Sequence, residues 1–515
     1  MYGFYTYMTN LAMTDRPGTG NAAEGGGPGT AADVPLPQAA RPDPRAGRRR
    51  PPGGPGPGGR HRRHPAPAGD LDGFRVVPEQ ERHGHPRQQA AVWAGSNLTA
   101  VSLVLGGVAS AGLGFRAAAC AITAGAAAGA AVLGLLAAQG PRLGVPQLVH
   151  ARALFGTRGA AVLSCGVLLL TTGFGCVQLF IQGAALHQVT GWPVPVIVLA
   201  CAAVAAVLAL AGRARLAAAA RATALLAGVT VLLVITLALA RGHGPAPAGP
   251  APAGRWLGGA AVMLMALLGW GPITSDFTTR LPARHGPGAG AWAAAGAAAG
   301  TIAAGITGAY VTTAGRSADT VTDIGRLAGP WVLLLTAASV VATTAIDFRA
   351  GGQQILLLAG PGQAARARGT AAVLAVTVTS SAIALATWRQ WSGSVHDMLA
   401  ILLLLFVPWT SCNLTDYYLV RRGRYDVTAM LGPGRRFRAR GLLACLAGLA
   451  AEIPCTGQSW YTGPADRLLG GADLSWLAGG AVTCAVYLAW TPLSARLRPA
   501  GRHARPPRIL PGRTA

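Results

Sequence analysis

Phe174, Gln178 and Gln182 stand four residues apart in an apolar run. On a helix that spacing puts all three on one face. An aromatic ring followed by amides suits a flat heterocycle: the ring stacks, and an amide reads the edge with donor and acceptor together. The same residues also serve plain packing, Phe174 against a neighbour and Gln178 across helices. Other neutral polar residues share apolar surroundings: Asn97, Thr99, Thr171, Thr172, Ser339, Thr343 and Thr344. Such groups suit a neutral, hydrogen-bonding solute. Gly269-Trp270-Gly271-Pro272 interrupts a further apolar run. Proline removes a backbone donor, and glycine lowers the cost of bending. A break within a membrane is tolerated where the freed groups line a cavity. Glycine and proline also simply allow membrane helices to pack closely. Gly95-Ser96-Asn97 is a weaker break signal. Breaks in the first and sixth of a series of helices are what a five-plus-five inverted repeat shows.

Positioning these residues needs a frame, and composition points to one. Of 515 residues, 51% are apolar and only 12% charged, against about 25% charged in soluble domains. Mean hydropathy is +0.41. From Ala91 onward, apolar stretches alternate with short loops carrying Arg, Pro and Gly. Helices rise about 1.5 Å per residue, so roughly 20 apolar residues cross the hydrocarbon core. Twelve stretches are predicted to do so: 92–112, 117–139, 159–188, 192–211, 217–240, 256–276, 289–313, 328–347, 370–388, 395–418, 440–454 and 474–493. Three regions follow: a disordered Pro/Gly/Arg-rich tail (1–90), a transmembrane domain (91–493) and a basic C-terminal tail (494–515). The tail at 1–70 reads as poor linker sequence, so its place in the translated protein is open.

The charge of +25 first suggests a nucleic-acid surface. The positions say otherwise. All 43 basic residues are Arg, with 18 on the predicted inner side, 18 in the tails and 7 outside. That is the positive-inside pattern of a chain with both termini cytoplasmic, expected in the plasma (inner) membrane. No nucleic-acid partner is expected, and the bilayer is the surrounding medium. The acidic residues beyond position 90, Asp276 and Asp347 among them, are predicted in loops or near span ends. A proton pump or redox chain usually keeps a carboxylate deep in the membrane, so that class is disfavoured. The eight Cys lack CxxC pairing and read as small buried hydrophobes. No metal set, haem motif or nucleophile–base pair is visible, so neither metal, cofactor nor enzyme activity is expected. Asp276 and Arg280 stand four apart at the inner end of the sixth run, a spacing that permits a pair and a role at an inner gate.

Several motifs in order resemble the purine–cytosine permease branch of the nucleobase:cation symporter-1 family. Pro408-Trp409 followed by Asn413-Leu414-Thr415-Asp416-Tyr417-Tyr418-Leu419-Val420-Arg421-Arg422-Gly423-Arg424-Tyr425-Asp426 is similar to its PW..NL.DYYLVRRG.YD signature. Gly269-Trp270-Gly271-Pro272 with Ser275-Asp276-Phe277 and Arg280-Leu281-Pro282 resembles its GWAP..SDYSRYLP motif. Gly144-Val145-Pro146-Gln147 and Trp93-Ala94-Gly95-Ser96-Asn97-Leu98 resemble two further segments. The likeness covers roughly residues 71–430.

The resemblance implies an all-α, LeuT-like fold of ten helices in two inverted repeats plus two C-terminal helices. It implies import of a nucleobase or similar heterocycle by cation-coupled alternating access. Phe174 falls where the family often carries a stacking Trp, Gln178 at its Asn or Gln, and Trp270 and Asn97 at its sixth- and first-helix motif positions. Phe174 and Trp270 are then expected to sandwich the ring, with Gln178 and Asn97 on its edges and Thr343 nearby. Ser339 falls in a segment where some relatives bind Na⁺, but Val340 replaces a hydroxyl residue there and Thr343-Thr344 replace two Asn. Those departures leave the coupling ion open between Na⁺ and H⁺. A transporter of another solute, such as a vitamin ring or amino acid, and a non-transporting receptor-like relative are the rival readings. Oligomeric state is not legible.

Overall fold

The structure is a computed structural model that describes residues 76–242, 244, 252–315, 319–359, 365–431, 435–458, 461–468 and 473–491. The remainder of the N-terminal tail and all of the C-terminal tail lie outside the described residues. Among the described residues the chain is helical, and the one extended pairing is a bridge between Gly457 and Thr462.

Helical segments fall at all twelve expected places. The first is a pair, Gln88–Asn97 and Ala100–Ala109, bent by 64°. The sixth pairs Ala253–Leu268 with a 3₁₀ turn at Gly271–Phe277, bent by 45°. Seven described helices are long and apolar enough to cross a membrane, or nine if each bent pair is one span. Val194–Leu210 and Ser475–Ala489 are apolar but shorter, and Ala439–Glu452 has 14 residues. Two short helices occupy stretches expected to be loop: Gln147–Phe155, buried along nearly its whole length, and the amphipathic Thr320–Ala328. Leu225, Val207 and Leu232 expose 73%, 70% and 64% of their surface. Apolar faces of that kind need lipid rather than water.

Helices one, two, six and seven pack together, as do three, four, eight and nine. The many alanines and glycines let backbones approach. A Cβ on Gly106 would collide with the Gly305 carbonyl oxygen across the contact of helices one and seven. Without a hydrophobic gradient between lipid and protein, such close van der Waals contact does much of the holding.

Two boundaries differ from expectation. Residues 76–90 belong to the folded part: Val77 donates its N–H to the Gly144 carbonyl (2.8 Å), and Arg82 Nη1 donates to the Pro141 carbonyl (2.6 Å). The eighth helix does not stop at 347. It runs as Pro330–Ser339 and Val341–Ala359, with Val340 as a turn residue between them. Hydropathy falls after Ile346, but the helix continues because Gly351 and Gly352 seat it against its neighbours. A Cβ on Gly351 would lie 2.9 Å from Thr171 Oγ1 and 3.0 Å from the Val376 methyls. Asp347 is therefore mid-helix, and the placement of every acidic residue near a span end fails there.

Gly106→Val is expected to destabilise the protein by about 3 kcal/mol, the upper range for overpacking. Gly258, with nothing within 4 Å of an added Cβ, is the control. Heat-induced aggregation in detergent should drop in midpoint for Gly106→Val and stay put for Gly258→Ala.

Candidate functional site

The two broken helices meet. In the first, Asn97 is the last helical residue, Leu98 leaves helical geometry, and extended Thr99 caps the second half by accepting the Ser102 N–H (3.2 Å). In the sixth, the α-helix ends at Leu268, and Gly269-Trp270 lead into the 3₁₀ turn with Pro272 in its first turn. Trp270 Nε1 donates to Asn97 Oδ1 (3.2 Å). Asn97 Nδ2 donates back to the Trp93 carbonyl (2.9 Å). Trp93 stands edge-on to Trp270, with ring centroids 5.6 Å apart, and packs on Phe277 at 5.0 Å. The amide of Asn97, expected on a substrate edge, is thus already engaged in joining the two breaks.

Helices three and eight form the facing wall. Gln178 Nε2 donates to Asp347 Oδ2 (2.7 Å). Gln182 Nε2 donates to Thr344 Oγ1 (3.2 Å) and to the Gln178 carbonyl (3.1 Å). Gln178 Oε1 is buried and accepts no hydrogen bond. A buried acceptor left alone costs about 1–3 kcal/mol, so this oxygen is poised for an outside donor. Ser339, Thr343 and Asp347 recur every four residues toward the same space. Ser339 Oγ donates to the Thr336 carbonyl (2.8 Å) and Thr343 Oγ1 to the Val340 carbonyl (2.9 Å). Val340 is buried and supplies no side-chain oxygen.

Between these walls lies a cavity of about 190 Å³. Asn97, Phe174, Gln178, Trp270, Ser339 and Thr343 all line it, with Gly269 and Asp276. The remaining break residues, Gly271 and Pro272, shape the turn without lining the cavity. Gln182, on the same expected face, is turned into the seam between helices three and eight. Asp347, missed from sequence, lines the cavity beside Gln178. The i, i+4 spacing of Phe174 and Gln178, extended to Ser339, Thr343 and Asp347 on the eighth helix, was the signal available for it.

At the far end of the 3₁₀ turn, Asp276 accepts the Gln147 N–H (2.6 Å). A chain of amides runs on from there. Gln147 Nε2 donates to Gln139 Oε1 (3.4 Å), and Gln139 Nε2 to Asn413 Oδ1 (2.8 Å). Asn413 Nδ2 in turn donates to His150 Nδ1 (3.2 Å). Arg280 lies past the end of the 3₁₀ turn, where its carbonyl accepts the His83 N–H (2.7 Å). Asp276 itself sits within the 3₁₀ turn, four residues before Arg280.

The DYYLVRRG run makes a second polar cluster. Its Thr415–Val420 segment is a π-helix, and fully buried Asp416 accepts from Tyr425 (2.7 Å), Tyr487 (2.8 Å) and Arg421 Nε (2.9 Å). Arg421, expected only to set orientation, is held in this clamp. Among the described residues no cluster of three or more His, Cys, Asp or Glu could hold a metal.

The family described as permeases for cytosine/purines, uracil, thiamine and allantoin matches residues 76–479. The chain belongs to this family. It is a multi-pass membrane permease and not an enzyme. YxlA of Bacillus subtilis (strain 168), a protein named for the purine-cytosine permeases, is 26% identical over 437 residues, covering 80% of this chain and 94% of YxlA. The inward-facing form of Mhp1 superposes with a TM-score of 0.65 at 16% identity, over 81% of this permease and 92% of Mhp1. Mhp1, a nucleobase-cation-symport-1 transporter, closed with bromovinylhydantoin bound, gives 0.59 at 17%, covering 81% and 94%. A substrate-bound Na⁺-coupled sialic acid symporter gives 0.54 at 11%, covering 82% and 91%. The permease therefore has the LeuT-like fold of these transporters.

If the Trp270–Asn97 bond holds the two breaks together, a double-mutant cycle will show it. Trp270→Phe and Asn97→Ala are each expected to lower thermal stability in detergent. Their coupling energy should be about 1 kcal/mol. Strict additivity would show that the bond contributes nothing.

Proposed function

We propose that this permease imports a nucleobase, or a similar small flat heterocycle, together with a cation, by alternating access. The observation that carries the reading is the cavity at the junction of both helix breaks. It offers aromatic faces from Phe174 and Trp270, and a buried acceptor, Gln178 Oε1, that no described residue satisfies. The Gln178 amide carries an acceptor and donors, so it can take a ring N–H or exocyclic amine as it stands, or a ring nitrogen or carbonyl if it turns. Asn97 then acts through Trp270, whose ring it holds, and Thr343 contributes a hydroxyl to the rim.

All twelve helices are proposed to cross the plasma (inner) membrane with both termini cytoplasmic, on the strength of the Arg distribution. Asp276 and the Gln147 turn would close the inner end, with Arg280 at its margin. Ser339 offers one hydroxyl toward a cation, but buried Val340 beside it offers none, which weakens this segment as a Na⁺ site. A second reading, a cationic vitamin ring, is favoured by one observation: Asp347 places a carboxylate on the cavity wall.

Uptake of radiolabelled cytosine, adenine and hypoxanthine into a transport-deficient host should exceed the empty-vector rate for at least one base. Gln178→Ala should weaken apparent affinity by about tenfold, the value of one good hydrogen bond. No uptake of any base, with the protein shown in the membrane, would remove the substrate class. Full affinity in Gln178→Ala would remove the site. Competition by thiamine alone would favour the second reading.

A further inference from the structure

Asp347 is the group that the transport reading leaves without a task. It sits in the middle of the eighth helix, where a carboxylate is costly unless it serves a function. Its hydrogen-bond partner is Gln178 Nε2 alone. The helices packed against it bring few charges. Helix three contributes the Cys176 thiol and helix four the Cys201 thiol. Arg215 and Arg221 belong to helix five, and Arg368 to helix nine. On its own helix, Arg349 donates to the Ala209 carbonyl (3.0 Å). Asp276 lies across the cavity, tied to Gln147. Among the described residues, none of these forms an ion pair with Asp347. A part-buried carboxylate that faces a cavity, with no ion-pair partner among the described residues, has two ways to shed its charge: bind a cation or bind a proton. On the same helix, buried Val340 beside Ser339 supplies no side-chain oxygen for a metal cation.

We propose that Asp347 carries the coupling proton of a substrate–H⁺ symporter, and that Gln178 converts its protonation into a change in the edge shown to substrate. The inference rests on the transport reading above. As a carboxylate, Asp347 only accepts, so it holds Gln178 Nε2 and leaves Oε1 toward the cavity. Taking a proton from the outer water makes it a carboxylic acid, which donates. The acid O–H then bonds to Gln178 Oε1, the amide turns, and the Nε2 donors become available to a ring nitrogen or carbonyl. Substrate that accepts from Nε2 therefore stabilises the protonated form. By linkage the proton raises substrate affinity by the same factor. On the inner side the base leaves, the proton passes to inner water, and the carboxylate re-forms with Nε2.

The test uses the full chain in proteoliposomes with a pH dye inside and a mixture of cytosine, adenine and hypoxanthine added outside. Base-dependent acidification of the lumen is expected. Affinity should rise as pH falls, by at most about tenfold per unit, and level off once the free carboxyl is protonated. An inside-alkaline gradient should accelerate labelled uptake, and a Na⁺ gradient should not. Asp347→Asn should abolish acidification and make binding independent of pH. Asp347→Glu, which keeps a carboxyl, should restore acidification with a shifted pH profile. Base uptake in the wild type without proton movement, or driven by Na⁺ alone, overturns the proposal. So does acidification that persists in Asp347→Asn. If Asp347→Asn fails to yield a monodisperse protein, Asp347→Glu decides: an unshifted profile overturns the proposal. Gradient-free counterflow separates the two levels. Its absence for every base removes the transport reading itself, whereas counterflow without pH linkage removes only the role of Asp347.

Discussion

A helix broken inside a membrane leaves backbone groups without partners, and lipid supplies none. The rest of the structure is arranged around that constraint. Both breaks are brought to one place and tied by the Trp270–Asn97 bond (3.2 Å). Each break is also finished locally: Thr99 caps the half-helix that follows the first, and Pro272 opens the 3₁₀ turn after the second. The cost of breaking two helices is thereby confined to one cavity wall. Tight Gly–Ala packing of helices one, two, six and seven keeps that wall in register.

The opposite wall works by different means. Helices three and eight are joined by side chains, through Gln178–Asp347 and Gln182–Thr344. Amides are well suited to such a seam, because each has donors and an acceptor and can exchange one for the other by rotation. The wall with the aromatic Trp270 is thus tied by a bond from an indole that only donates, while the wall with Gln178 can reverse its polarity. Adaptability to a substrate or a proton resides on the second wall.

Much of this was legible in the residues. The Gly269–Pro272 break, the paired Asn97 break and the Phe174–Gln178 face were each readable from backbone chemistry or helical spacing, and all of them come together at one cavity. Asp347 was not. A hydropathy window ends a span where polar residues and glycines begin, at Phe348-Arg349-Ala350-Gly351-Gly352. Glycine lowers hydropathy and helix propensity, yet here it is what lets the eighth helix continue against helices three and nine. Asp416 escaped for a related reason: the Arg residues around it read as topology, and only the π-helical turn reveals that Arg421, Tyr425 and Tyr487 converge on one buried carboxylate. Sequence periodicity sees faces of regular helices; it does not see partners that arrive from elsewhere in the chain.

The two polar clusters, around Asp416 and around the Gln147 turn, differ in what holds them. The clamp around Asp416 is ionic, buried and shared by three donors, so removing it leaves an uncompensated charge, a loss of about 3–5 kcal/mol. The Gln147–Gln139–Asn413–His150 chain is neutral, and each of its bonds contributes about 0.5–1.5 kcal/mol net because water can replace it. Asp416 thus ties helix ten firmly to helix twelve, while the amide chain joins the end of helix two, helix ten and the Gln147 turn through weaker bonds.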